Sequence, residues 1–243
     1  VQAQWLFDGA SALAATNGLT AADYARRGFF ELVAASALTL PLLLAADSVT
    51  HTASARGRRI VRLLSGSIVL LVLVIMGSAL QRMALYTNRF GLTEDRVYAT
   101  AFMAWLGVVF TWFVITTLRG RRNRFAAGPV AAGIAAYFAL AIANPDALIA
   151  RVNLDRARHG AEVDASYLTQ LSADAAPVLH GHLDNLPPDA RCHIARKMLG
   201  YAALEQQDWR SSNYSVVKAR ELAQNDATRL TQIQLQECKN AKS

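Results

Sequence analysis

The sequence predicts an all-α fold: a polytopic helical membrane protein with about four transmembrane helices in residues 1–154, followed by a soluble helical domain in 155–243. Three observations predict it. Windows near 24–46, 63–80, 97–118 and 125–143 are nearly free of charge, and each has the roughly 20 residues that cross about 30 Å of hydrocarbon at 1.5 Å per residue. Of the 243 residues, 53% are hydrophobic and 18% charged, with a mean hydropathy of +0.20, which excludes a disordered or collagen-like chain. The character then changes: residues 1–150 hold 13 basic side chains, all Arg, against 7 acids, whereas 151–243 hold 12 Lys and Arg against 11 acids. The formal charge of +7 alone would fit a nucleic-acid partner, but the apolar windows direct the chain to a lipid bilayer, and no nucleic acid is expected.

The elements follow in order. Val1 to Phe7 reads as the emerging end of an earlier apolar segment, with Trp5 at the interface, so further helices upstream are expected. Span A carries Arg26, Arg27 and Glu31 near its start and Pro41 inside, where a kink is expected. Gly18-Leu19-Thr20 before span A is echoed by Gly91-Leu92-Thr93 before span C, a match that either a duplicated hairpin or ordinary capping chemistry produces. In span D, Ala127, Ala131, Ala135, Ala139 and Ala143 fall at four-residue spacing, a stripe of small residues that lets another helix approach; with Gly128 and Gly133 beside it, it is expected to face a membrane-protein partner or the chain's own upstream helices. Asn144-Pro145-Asp146 ends span D, because a residue before proline is pushed out of the α region, and Asn144 or Asp146 can cap the helix that follows. Leu148 and Ile149 are then expected at the interface. In the tail, Asp164, Ser172, Pro188-Asp189 and Ser211-Ser212 mark helix starts, and the segment from Asp226 is either one more amphipathic helix or a frayed end.

Five ordered blocks, Tyr24–Leu32, Ser78–Tyr86, Gly91–Tyr98, Asn144–Asn153 and Tyr167–Ala175, resemble the bacterial membrane family called domain of unknown function 4153/4173. The resemblance runs from Trp5 to about Leu222, and the tail after about Asn225 departs from it. It implies a polytopic membrane protein with helices upstream of Val1, and supplies no activity, cofactor or catalytic residue.

Orientation decides what the soluble domain meets. The A–B and C–D connections carry compact runs, Arg56, Arg58, Arg59, Arg62 and then Arg119, Arg121, Arg122, Arg124, which read as cytoplasmic anchors in the cell membrane. The C-terminal domain is therefore expected outside, although a crude count of arginines ties at eight on each side. Opposite the runs lies a polar cluster: Glu31, Arg82, Arg89, Arg96, Asn144, Asp146, Arg151 and Asn153. Charges at membrane depth need partners, so Glu31 is expected to pair with Arg82 or Arg96. A binding site for an anion or a proton pathway would use such groups, but deep polar residues in the spans are scarce hydroxyls, so the cluster reads as an interfacial belt.

Cys192 and Cys238 both fall in the tail, and in an oxidising compartment they can close a disulfide; otherwise they are two separate small side chains. His180, His182, Cys192 and His193 have zinc-ligand chemistry but diverging directions on a helix, so no metal is expected. No phosphate loop, dinucleotide fingerprint or nucleophile elbow occurs, and no catalytic residue or cofactor is assigned. Two classes stay open: a noncatalytic membrane component presenting a helical domain for signalling or envelope assembly, and part of a transporter or membrane enzyme whose active helices lie upstream.

Overall fold

The computed structural model describes residues 18–49, 54–204 and 213–240, with side chains from Val33 onward except those of Arg122, Lys239 and Asn240. Every regular element among the described residues is helical. The chain divides into two compact units, one of Val1–Phe90 with Asp95–Ala139, the other of Gly91–Glu94 with Leu140–Ser243.

The first unit is built on α1 (Gly18–Val49), α2 (Ala55–Phe90), α3 (Glu94–Thr116) and the start of α4 (Ala127–Ala143). At 1.5 Å per residue, the 36 residues of α2 and the 23 of α3 reach about 54 and 35 Å, and both are long and apolar enough to cross a membrane. With 17 residues α4 falls short alone, because Asn144-Pro145 ends it; it counts as a third span only if joined to α5 (Pro145–Arg158), from which it is bent by 54°. The described side chains of α1 give a shorter apolar stretch, Val33–Val49. Among the described residues two or three spans therefore meet the length and composition test, where hydropathy windows over the whole sequence predict about four. The window for span D ends where the helix does, at the proline, but the helix begins only at Ala127, two residues into the window.

Leu43 of α1, Val69, Val72 and Met76 of α2, and Met103, Leu106, Phe110 and Phe113 of α3 form the core of this unit. The opposite faces are as apolar as the core: Leu63, Leu70, Leu71, Val130 and Ile134 are exposed. A helix apolar all round belongs in hydrocarbon, where such exposure costs nothing. Two indoles tie α4 to α3. Trp105 Nε1 donates to Pro129 O (3.1 Å) and Trp112 Nε1 to Arg124 O (3.3 Å). A Cβ at Gly128 would lie 2.1 Å from the Trp112 ring, so only glycine lets the indole rest on the helix there. Gly128 and Gly133 thus face α3, whereas every alanine of the four-residue stripe is exposed; the sequence had grouped them on one face.

The second unit packs α5 with α6 (Ala165–Leu168), α7 (Ala176–Gly181), α8 (Pro188–Ala202), α9 (Tyr214–Asn225) and α10 (Ala227–Asn240). Its fully buried side chains are Ile149, Leu154, Leu168, Leu171, Leu179, Leu183, Ile194, Met198 and Leu230. Ile149 is core, not interface as the sequence predicted, because α5 turns away from α4 and packs with α7 and the turn at Ala173–Ala175. Asp164 and Ser172 cap their helices by accepting from Tyr167 N (2.8 Å) and Asp174 N (3.3 Å). Asn213 caps α9 through Ser215 N; Ser211-Ser212 lies outside the described residues. The segment after Asp226 is a helix, and Cys238 on it is joined to Cys192 of α8 by a disulfide with Cα atoms 5.3 Å apart.

Candidate functional site

Asn144 adopts left-handed backbone angles (φ 49°, ψ 83°), and its side chain accepts from Ala147 N (3.3 Å), capping α5 just where proline forbids helix continuation. Two turns along, Asn153 reaches Gly91–Glu94: Leu92 N–H donates to its Oδ1 and its Nδ2 donates to Leu92 O, both at 2.8 Å. This amide satisfies both main-chain groups of one residue as a neighbouring strand would. Glu94 N–H, a first-turn donor of α3 with no partner inside its helix, donates to Tyr167 Oη (3.0 Å). Gly91 closes the clasp. It is buried at φ +86°, and a Cβ on it would stand 2.5 Å from Asn153 Oδ1.

A second polar centre lies around Lys197 on α8. Its Nζ donates to Thr169 O (2.9 Å) and Leu171 O, closing the turn after α6, and approaches the Tyr201 ring at 5.8 Å. Burial pushes the ammonium below its ordinary value, and the Asp146 carboxylate opposes that shift. Burial, then Asp146 and Asp174, push the Tyr201 phenol up. Asp146 accepts from Ser172 N (2.9 Å), and Asp174 accepts from the Ser215 hydroxyl of α9. A half-buried lysine with a tyrosine and two carboxylates has the composition of a proton-transfer site. Here, however, the lysine donates to two main-chain carbonyls and Asp146 accepts a main-chain amide, so the arrangement holds loops to helices.

The third network joins α10 to the loop after α7. His180 Nε2 lies 2.9 Å from Asp226 Oδ2, Arg229 Nη1 donates to the same oxygen (3.0 Å), and Arg229 Nη2 pairs with Asp184. The hydrogen bond to Asp184 is the main cause holding the Arg229 guanidinium above its ordinary value.

The residues of the sequence-predicted cluster are divided between the two units. Asn144, Asp146 and Asn153 belong to the second unit, where each makes the contact above, and Arg151 beside them is exposed. Arg82, Arg89 and Arg96 belong to the first unit; the Arg96 guanidinium lies 4.4 Å over the Tyr86 ring and that of Arg89 5.9 Å from Phe90. Glu31 lies on α1, but its side chain is outside the described residues, and so is its expected pairing. Among the described residues no three His, Cys, Asp or Glu side chains converge as metal ligands. His182 bonds Val178 O (2.8 Å), His193 lies 3.7 Å from Asp189, and Cys192 is bridged. Lys197, Asp174, Asp226 and Arg229 were missed, because Leu171, Ser215, His180 and Asp184, which they hold, lie 26 to 46 residues away and no local pattern announces such pairs.

Comparison with curated proteins and with solved structures gives no match. Comparison with family models gives a match over residues 1–182 that spans the four apolar windows, Asn153, Tyr167, Ser172 and Asp174, and stops short of Lys197 and the cysteines, where the sequence had placed its end near Leu222. With residues 1–182 of 243 matched, the chain belongs to the family described as Domain of unknown function (DUF4153).

Proposed function

We propose that this protein is a noncatalytic multi-pass component of the cell membrane, with four spans, that presents its C-terminal helical unit outside the cytoplasm to a partner protein in signalling or envelope assembly. The observation that carries the reading is how the second unit uses its polar side chains. Asp146, Asn153 and Lys197, the groups with the composition of a reactive centre, bind main-chain amides and carbonyls. The Cys192–Cys238 bridge supports an oxidising compartment for that unit. The arginine runs at 56–62 and 119–124 support a cytoplasmic side for the A–B and C–D connections. The exposed alanine stripe of α4 supports a neighbouring helix, from a membrane partner or from the chain upstream.

Labelling of single cysteines from either side of intact cells tests this. Asn185→Cys is expected to react with a membrane-impermeant maleimide, whereas Gly57→Cys and Arg121→Cys react only after permeabilisation. Bridged Cys192 and Cys238 stay silent in both. Labelling of positions 57 and 121 from outside would overturn the orientation and, with it, presentation outside the cytoplasm.

A further inference from the structure

The two arginine runs, 57 residues apart at their nearest members Arg62 and Arg119, meet in space. A Cβ at Gly120 would lie 3.8 Å from Arg62 Nη2, and one at Gly66 would lie 3.7 Å from Leu118 Cδ1, so the first turns of α2 run beside the turn that follows α3. That turn is fixed. Gly120 N–H donates to Thr117 O (2.9 Å), Arg121 N–H to Thr116 O (2.8 Å) and Arg124 N–H to Arg121 O (3.0 Å), with Gly120 at φ +78° as such a helix end requires. The Trp112 indole holds Arg124 O from below. Arg56, Arg59, Arg62, Arg119, Arg121 and Arg124 are all exposed at this end of the unit. Acids are scarce: Asp47 is the one Asp or Glu between Val33 and Thr93, and none occurs between Arg96 and Pro145.

Along α2 and α3 runs an open cleft of about 500 Å³, whose α2 wall spans Leu73 to Leu80 and whose α3 wall extends from Met103 to Ile115, four residues before Arg119. Met76, Gly77 and Leu80 line one wall, Gly107, Val108 and Ile115 the other, and Trp112 lies toward the arginines. Its one hydroxyl, that of Thr111, donates to Gly107 O (2.8 Å). A Cβ at Gly77 would meet nothing within 4 Å, so the cleft is open there. In helices that cross hydrocarbon, an apolar cleft open to the side is filled from the bilayer, and a cluster of guanidiniums near its end selects a negative headgroup.

We propose that this face binds an anionic phospholipid, with one acyl chain in the cleft between α2 and α3 and the phosphate on the arginines that α2 and the Thr117–Arg124 turn bring together. Charge complementarity selects the occupant: a neutral lipid would fill the cleft but leave the guanidiniums without their anion. Guanidiniums suit the task because their planar fork bonds phosphate oxygens in pairs.

Native mass spectrometry of the detergent-solubilised full chain tests it, titrated with dioleoyl phosphatidylglycerol, dioleoyl phosphatidylcholine or glycerol phosphate. Phosphatidylglycerol is expected to bind at least tenfold more tightly than phosphatidylcholine, and glycerol phosphate at least tenfold more weakly than the intact anionic lipid. Arg62→Gln with Arg121→Gln is expected to abolish the preference and leave phosphatidylcholine binding unchanged. Gly77→Leu, whose Cβ meets nothing within 4 Å and whose side chain occupies the cleft, is expected to weaken both lipids severalfold and keep their ratio. Equal binding of the two lipids, a preference that survives the arginine changes, or undiminished binding to Gly77→Leu would overturn the proposal, as would glycerol phosphate binding as tightly as the lipid, which marks a free-phosphate site. If a variant fails to fold, the unaltered chain still decides: brominated-chain phosphatidylglycerol quenches tryptophan fluorescence saturably and Trp112→Phe removes that quenching, or neither happens and the cleft is not the site.

Discussion

Gly91 and Asn153 form the tightest residue-level dependence in the second unit. An alanine at 91 would hold a positive φ, which costs an L-residue about 1–2 kcal/mol, and would also drive its Cβ to 2.5 Å from Asn153 Oδ1 and 2.8 Å from Arg156 Nη1. Gly91→Ala is therefore expected to destabilise by about 2 kcal/mol or more. Asn153→Ala leaves Leu92 N–H and C=O without their partner and is expected to cost about 1–3 kcal/mol. The double variant relieves the side-chain clash and keeps the strained backbone, so its loss should be less than the sum. Thermal melts of the full chain read all three, and additive losses would show that the two residues do not meet. Asn144 and Asn153 illustrate what a sequence discloses at this scale. The cap at Asn144 is local, written in the proline beside it, and was legible. The partner of Asn153 lies 61 residues upstream, so the residue type was noticed and its role was not. Lys197 was passed over because its partners are carbonyls, which every residue has.

Among the elements, α10 packs along α8, with Leu230 fully buried and Leu235 55% exposed. Its two ends are fastened otherwise: Arg229 and Asp226 to Asp184 and His180 at one, Glu237 to Arg191 (3.0 Å) and Cys238 to Cys192 at the other. A bridge closing 46 residues stabilises by about 2–4 kcal/mol in the chain-entropy account. Reduction, or Cys192→Ser with Cys238→Ser, is expected to accelerate amide exchange across Ala227–Asn240 before it affects Ile194 or Leu179. Exchange in α10 that ignores reductant would mean the packing along α8 alone suffices. The mostly polar sequence of Ala227–Asn240 explains why this segment was left between helix and frayed end, whereas α2 and α3 were plain from hydropathy. The starts at Asp164 and Ser172 were legible from local caps. Among the described residues the helices bear out two spans, and a third where the bent α5 is added to α4, because an apolar window does not fix where a helix begins.

At the scale of the whole chain, composition and packing place their boundaries differently. Charge and lysine content change near residue 155, while the compact second unit begins at Leu140 and takes in Gly91–Glu94 from the turn between α2 and α3. The gap between the two boundaries is α5, amphipathic enough to look interfacial in sequence yet supplying Ile149, Ala150 and Leu154 at 0, 0 and 1% exposure to the core of the unit. Burial of two large aliphatic side chains contributes about 3–6 kcal/mol, and α5 also brings Asp146 to Ser172 N. A domain of this size has only about 5–15 kcal/mol of net stability. A fragment of residues 155–243 is therefore expected to lack a cooperative thermal transition, and one of 144–243, which keeps the Asn144 cap, to show it. The longer fragment should still melt below the full chain, because without Gly91–Glu94 the side chains of Asn153 and Tyr167 lose the main-chain groups they hold. Circular dichroism melts of both fragments, with the disulfide intact, check this. A cooperative transition in 155–243 at the temperature found for 144–243 would show that α5 is a linker, and that the boundary seen in composition is also the boundary of the folding unit.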